Sequence, residues 1–295
     1  IETIKKTLEI MKNRGPDNQS FDILKTKDKK HLYLLHSRLS IIDLDERANQ
    51  PFKIDDFTII FNGEIYNYIE LKEELIKKGA KFKTNSDTEV LLMYYKYYGT
   101  DCLKYFDGMW SFVIWDSKKN IVFMSRDRFG EKPLYLMKSN FGMYFSSEIK
   151  FLKCLSGENL NLNEDKIYRN LLLGYKSLYK KKGTFFEKVY ELNAAEYLII
   201  KDDYIKIKSY WEPKFNPSIS LSEQESIEET SKLLIESVRK QIRSDVPLAF
   251  TLSGGIDSSS LASIAVKKFN CNIKTFSIID EDERYNEEKN INKTV

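Results

Sequence analysis

Cysteine and histidine are scarce in this chain of 295 residues. The three cysteines, Cys102, Cys154 and Cys271, are odd in number, far apart and never in a CxxC pair. That argues against a disulfide framework or a zinc site and points to a reducing, cytoplasmic setting. With only His31 and His36 available, a histidine-based metal centre lacks ligands and a Ser-His-Asp triad has little material. Long apolar runs are missing as well. The longest, residues 90–95, is six residues, whereas a bilayer crossing needs about 20. No sign of charge dominates: a net charge of +3 gives no field that would attract nucleic acid or a membrane surface. The chain opens on Ile1 rather than Met, so the first residues of the protein are expected to precede it.

What remains is an ordinary globular composition, 42% apolar and 31% charged, long enough for two domains. Ile1, Ile4, Leu8 and Met11 recur at helical spacing, and Arg14-Gly15-Pro16-Asp17 stops that helix. Runs rich in β-branched and aromatic residues at 32–35, 57–61, 109–115, 121–124, 134–137 and 143–145 predict strands in antiparallel sheets. Helices are expected at 68–78 and 88–98, the second opened by the capping-box pattern Ser86-Asp87-Thr88-Glu89. A helix at 164–173 and strands at 196–200 and 204–209 complete a first domain over residues 1–211.

Pro213 and Pro217 mark residues 212–221 as a linker. Beyond it the pattern changes. Ser222 and Glu225 cap a helix running to about residue 243, and a strand at 247–252 leads through Ser253-Gly254-Gly255 to a helix at 257–268. A second strand at 273–279 completes a βαβ unit, and a last helix begins near residue 287. Two strands and two helices cannot cover a parallel sheet on both faces. Residues 222–295 are therefore expected to begin a larger domain.

Two clusters carry chemistry. In Leu252-Ser253-Gly254-Gly255-Ile256-Asp257-Ser258-Ser259, consecutive glycines let the backbone approach an anion, and the helix that follows points free N–H groups at it. Ser253, Ser258 and Ser259 add hydroxyls, and Asp257 can order the loop or approach Mg²⁺. No lysine follows the glycines, which separates this loop from the Walker type and suits it to gripping pyrophosphate. Leu252 and Ile278, at the carboxyl ends of the two strands, read as core residues or as walls for an adenine ring. The second cluster is Asn62-Gly63-Glu64. Taken alone, Asn-Gly reads as a turn; it is also a pair of donors suited to an oxyanion. Arg38 can hold a carboxylate bidentately, and Glu64 with Asp87 an ammonium group, although an ion pair and a helix cap explain Arg38 and Asp87 equally well.

Arg14-Gly15-Pro16-Asp17, Arg38-Leu39-Ser40-Ile41-Ile42-Asp43, Phe61-Asn62-Gly63-Glu64-Ile65-Tyr66-Asn67, Ser86-Asp87-Thr88-Glu89, Arg126-Asp127-Arg128-Phe129-Gly130 and Lys132-Pro133-Leu134-Tyr135, with the Ser-Gly-Gly-Ile-Asp-Ser-Ser loop, resemble in order and spacing the glutamine-hydrolysing asparagine synthetase family. The resemblance implies an α+β αββα sandwich of the N-terminal-nucleophile type, then the beginning of a doubly wound α/β ATP-pyrophosphatase domain. It implies that Arg38, with backbone groups of Leu39, Ile41 and Ile42 alongside, binds the glutamine carboxylate. Asn62 and Gly63 would form the oxyanion hole, and Glu64 and Asp87 would hold the α-amino group. Leu252 and Ile278 would flank the adenine of ATP, with Ser253, Gly254, Gly255, Asp257 and Ser258 at its pyrophosphate.

The implied reaction releases ammonia from glutamine and amidates aspartate through a β-aspartyl-AMP, with ATP and Mg²⁺ as cofactors. The partners are then small molecules, not nucleic acid or membrane, and a homodimer is compatible with the family. The family's nucleophile, a cysteine at the mature N-terminus, would lie upstream of Ile1, so the chain as it stands is expected to be inactive as a glutaminase. Two other readings stay open at this point. One is an ATP-dependent amidotransferase or β-lactam-forming ligase acting on another carboxylate; the other is a non-catalytic module that lacks the nucleophile.

Overall fold

The structure, a computed structural model, describes residues 1–175, 183–202, 204–215 and 220–295. Residues 216–219 of the expected linker lie outside this set. The chain divides into two compact units, Ile1–Pro213 and Lys214–Val295.

The first unit begins with α1 (Glu2–Met11), β1 (Asn18–Lys25), β2 (His31–Arg38), β3 (Phe52–Ile54), β4 (Phe57–Ile65), α2 (Tyr68–Lys77) and α3 (Asp87–Tyr98). It continues with β5 (Gly108–Asp116), β6 (Ile121–Arg126), β7 (Tyr135–Ser139), β8 (Gly142–Ser146), α4 (Ile149–Ser156), α5 (Glu164–Leu173), β9 (Val189–Glu191), β10 (Glu196–Lys201) and β11 (Tyr204–Ser209). A six-stranded sheet takes the order β11-β10-β6-β5-β4-β3; two smaller sheets are β1-β2 and β8-β7-β9. Every strand pair in this unit is antiparallel.

Strand side chains alternate between two faces, and that alternation sets the layers. Phe61, Phe112, Ile114 and Phe123 turn toward α2 and α3, where they pack with Leu71, Leu91 and Leu92. Their neighbours Val113, Trp115, Val122 and Met124 turn the other way, onto Leu34 of β2 and Leu136 of β7. Met137, one residue further along β7, meets Leu152 of α4 and Val189 of β9. On that far side α1 packs against α4 and β2. Three cores therefore separate four layers, helix–sheet–sheet–helix, which is the αββα order that the resemblance implied. Central strands in such a stack are covered on both faces, and every residue of β6 is buried.

Three details differ from the sequence reading. Asn62-Gly63 is not a turn: β4 runs through it, paired with β5 from Phe57↔Asp116 to Ile65↔Gly108. At the start of α3 a simple N-cap forms and the capping box does not. The Ser86 hydroxyl accepts from the Thr88 N–H at 3.1 Å, but the Glu89 carboxylate takes the Lys83 and Thr84 N–H groups and the Thr84 hydroxyl instead. β1, β3, β9 and α4 were not legible as elements; β1 opens on three polar residues, Asn18, Gln19 and Ser20, and gains its ladder only by pairing along β2.

The second unit contains α6 (Glu223–Gln241), β12 (Ala249–Thr251), α7 (Ile256–Phe269), β13 (Lys274–Phe276) and α8 (Glu288–Thr294). β12 and β13 pair in parallel over three residues each, shorter than the runs expected at 247–252 and 273–279. Most residues of the two strands are exposed, so burial does not extend the ladder. Here Ser222 and Glu225 do form the complete reciprocal cap of α6.

Candidate active site

β3 accompanies β4 only as far as the pair Phe52↔Ile59. Beyond Ile59 one edge of β4 is open. Along an antiparallel strand the N–H and C=O of alternate residues point to the same side, so Phe61, Gly63 and Ile65 address that edge. Side chains from elsewhere occupy two of the three. The Phe61 N–H donates to Gln50 Oε1 at 2.6 Å, and its C=O accepts from His36 Nε2 at 3.1 Å. The Ile65 N–H donates to Asp87 Oδ2 at 3.0 Å. Among the described residues no side chain takes the Gly63 N–H between them, and Gly63 lines a cavity of about 760 Å³.

Glycine is required there. A Cβ at Gly63 would stand 2.1 Å from the Met109 carbonyl oxygen and 2.8 Å from Trp110 Cα, where no side chain fits. The Asn62 side chain donates from Nδ2 to Ser147 Oγ at 3.3 Å, which leaves its second amide hydrogen available. One backbone donor and one side-chain donor thus sit side by side at the cavity wall.

All eight residues assigned from sequence to a glutamine site line this one cavity: Arg38, Leu39, Ile41, Ile42, Asn62, Gly63, Glu64 and Asp87. Leu34, His36 and Arg38 share one face of β2 because strand residues two apart do so. Arg38 is buried, and both of its Nη atoms are engaged. Nη1 donates to the Asp45 carbonyl at 3.0 Å and to Asn49 Oδ1 at 2.8 Å; Nη2 donates to the carbonyls of Ile42 and Asp43. The bidentate fork expected from sequence is therefore closed on the 42–49 loop, and Nε–H is the hydrogen left for a ligand.

Two carboxyl groups lie near Gly63. Burial raises the Glu64 pKa, and Lys132 opposes the rise. Asp87 is fully enclosed, and burial with the nearby Glu64 charge pushes it up to about 7, against hydrogen bonds from Ile65, Thr88 and Ser86. Burial holds His36 down at about 4, so its imidazole is neutral at physiological pH.

Sequence reasoning missed how Lys132 is set. Asp127, fully buried, accepts from the backbone N–H groups of Trp110, Phe129, Glu131 and Lys132. Arg126 donates to the carbonyls of Lys132, Leu192 and Gly130 at 2.6–2.7 Å. Two adjacent opposite charges thus define the loop that brings Lys132 to the cavity wall. The signal was present as Arg126-Asp127 ending an apolar strand, since residues of these types are not buried without partners.

In the second unit, Gly255 caps α7 and Gly254 has a left-handed φ of 78°. Ser258 Oγ accepts from the Ser253 N–H at 3.2 Å and lies 3.1 Å from Ser253 Oγ; it also donates to the Gly255 carbonyl at 3.3 Å. The Ser253 and Ser258 hydroxyls assigned to an anion therefore hold the loop itself, while Ser259 Oγ lies 3.1 Å from Thr294 Oγ1 of the last helix. Asp257 stands in the first turn of α7. Of the two adenine-wall candidates, Leu252 is buried and Ile278 is 97% exposed.

Residues 1–211 match the family described as the glutamine amidotransferase domain, and residues 229–295 match asparagine synthase. A Methanocaldococcus jannaschii protein named as a glutamine-hydrolysing asparagine synthetase is 37% identical, over 94% of this chain and 56% of its own length. The Bacillus subtilis protein named asparagine synthetase (glutamine-hydrolysing) 1 is 36% identical, over 97% of this chain and 44% of its own length. The chain spans about half the length of the curated relatives it matches. Among solved structures, glutamine phosphoribosylpyrophosphate amidotransferase from B. subtilis, complexed with ADP and GMP, aligns with a TM-score of 0.51 at 16% identity. That alignment covers 94% of this chain and 63% of the other, and it is a likeness of fold.

Proposed function

The chain belongs to the glutamine amidotransferase domain family, and from that premise we propose that its first unit hydrolyses glutamine and its second begins the site that spends the ammonia on aspartate. The observation that carries the reading is the open edge of β4, where the Gly63 N–H and the Asn62 amide face the cavity that also holds Arg38, Glu64 and Asp87. Glutamine needs that set: donors for the oxygen of its side-chain amide, a cation for its carboxylate and anions for its ammonium.

In this reading a cysteine thiolate contributed from upstream of Ile1 attacks the side-chain amide carbon. The carbonyl oxygen takes up the negative charge and accepts from Gly63 and Asn62, where preorganised donors lower the barrier most. Collapse of that intermediate breaks the C–N bond, the proton that the cysteine's own α-amino group took from the thiol passes to the nitrogen, which leaves as ammonia, and water then releases glutamate from the thioester. Arg38 meets the substrate carboxylate through Nε–H, and the 42–49 carbonyls keep the guanidinium in place. An ionised Asp87 and Glu64 hold the ammonium group, so glutamine binding expels the proton that burial keeps on Asp87.

A carboxylate resists ammonia until it is made an acyl-adenylate. The 253–258 loop and the first turn of α7 suit the pyrophosphate of the ATP that does this, with Leu252 and Ile278 toward the adenine. Among the described residues no trio of His, Cys, Asp and Glu forms a metal cage. Asp257 would approach a Mg²⁺ that arrives on the triphosphate, where the ion would screen phosphate charge. Ammonia then displaces AMP from the activated aspartate to give asparagine.

The test is the full-length gene product supplied with glutamine, ATP, Mg²⁺ and aspartate. Glutamate, asparagine, AMP and pyrophosphate should appear in equal amounts. Pyrophosphate release that ignores aspartate would assign a different carboxylate acceptor, and absence of glutamate release would overturn the first step.

A further inference from the structure

The Phe61 peptide units are held by two side chains to which the reading above gives no role. Gln50 is buried and ties three elements together. Its Oε1 accepts the Phe61 N–H at 2.6 Å, its Nε2 donates to Thr88 Oγ1 on α3 at 3.2 Å, and its carbonyl accepts from the Ser20 hydroxyl on β1. His36, on β2, lies 3.1 Å by Nε2 from the Phe61 carbonyl. A carbonyl only accepts, so Nε2 carries the hydrogen, and Nδ1 is a bare, buried acceptor with no partner among the described residues. No sheet neighbour takes the Phe61 polar atoms, because β3 ends opposite Ile59.

We propose that Gln50 and His36 are positioning residues for the oxyanion donors, fixing both polar atoms of Phe61 so that Gly63 presents its N–H to the reacting oxygen. The inference rests on the glutamine reading. Gly63 follows Phe61 on the same edge, about 7 Å along the strand. Both peptide planes of Phe61 are fixed from outside the sheet, and Ile65 is fixed beyond Gly63 by Asp87. An edge strand without these ties would twist or take up water, and the donor would swing with it. Displacement of a reacting group by about 1 Å costs on the order of 10²-fold in rate. Arg38, Glu64 and Asp87 bind the substrate ends and hydrogen-bond to neither Gln50 nor His36, so ground-state binding should survive.

The experiment uses the full-length protein with Gln50→Leu, His36→Phe and the donor-retaining His36→Gln, together with Thr88→Val, which loosens Gln50 without touching Phe61. Glutamine hydrolysis should lose about 10–100-fold in kcat in Gln50→Leu and His36→Phe, with KM within about twofold of the parent. His36→Gln should recover most of the loss, and Thr88→Val should fall between Gln50→Leu and the parent. Amide hydrogen exchange over residues 59–65, read on the same variants, should quicken in Gln50→Leu even if that variant is too unstable to assay. A rise in KM at unchanged kcat, a His36→Gln variant no better than His36→Phe, or unchanged exchange in Gln50→Leu would overturn the proposal. A parent protein that releases no glutamate would sink the glutamine reading instead, and the exchange rates would still decide whether Gln50 holds the strand.

Discussion

Gly63 in the first unit and Gly254-Gly255 in the second are each assigned to an anion by the proposed function, but they are held by different means. Gly63 lies in a strand whose free edge is gripped by Gln50, His36 and Asp87, residues brought in from other parts of the chain. The 253–258 loop is held by its own hydroxyls, Ser253 and Ser258 bonding to each other and to the loop backbone. The first is a tertiary device and the second a local one. A tertiary device should fail steeply when its geometry is altered, whereas a local one should lose function by the worth of single hydrogen bonds.

The sharpest contrast should come from Gly63→Ala. With 2.1 Å between the added Cβ and the Met109 oxygen, β4 and β5 must part, and the oxyanion donor goes with them. Glutamine hydrolysis by the full-length protein should drop about 10²–10³-fold, while synthesis supplied with free ammonia continues. A variant within threefold of the parent, read by glutamate release, would remove Gly63 from the mechanism.

Asp87→Asn should change pH dependence. With the Asp87 carboxyl at about 7, KM for glutamine should fall as pH rises from 6 to 8, approaching tenfold per unit below 7. Asp87→Asn should flatten that slope, and a parent KM already flat with pH would count against the assigned role. Stability gives a second reading. The folded value of Asp87, about 7, lies above its ordinary 3.8. The stability from its protonated form is complete below 3.8 and is lost as pH rises through 7. His36 runs the other way: its folded value of about 4 lies below 6.5, so its contribution is complete above 6.5 and lost as pH falls through 4. In the parent the two oppose each other between pH 4 and 6.5, and in Asp87→Asn the melting temperature should climb with pH across that window relative to the parent.

Ser258→Ala should have the mildest effect. It removes loop hydrogen bonds each worth about 1 kcal/mol net, about fivefold, so KM for ATP should rise about that much with glutamine hydrolysis unchanged. A loss of glutamine hydrolysis equal to the loss of ATP use would break the distinction between the two sites.

The same division explains what was legible in the sequence. Ser222 and Glu225 cap α6 as their spacing says, because both partners lie within one turn. The identical spacing at Ser86 and Glu89 misleads, because the Thr84 and Lys83 N–H groups claim Glu89 first. Asn62-Gly63 looks like a hairpin turn, yet continuous pairing with β5 makes it strand. The apolar and β-branched runs were enough for antiparallel strands; the αββα layering and the gathering of eight residues around one cavity were legible only through the resemblance carried by the ordered motifs. Gln50, His36 and Ser147 carry no local signature. Their roles exist only once β1, β2, β4, α3 and the end of β8 have met, and the engagement of Arg38 by the 42–49 carbonyls was hidden for the same reason.

The 126–132 loop draws its shape from Arg126 and Asp127, which address backbone atoms and not the side chains displayed between them. Its path is therefore indifferent to what stands at position 131 and strict at Gly130, where the Arg126 guanidinium would lie 3.1 Å from an added Cβ. The frame is thus built independently of the side chain at 131, and it carries Lys132 to the cavity wall whatever that side chain is.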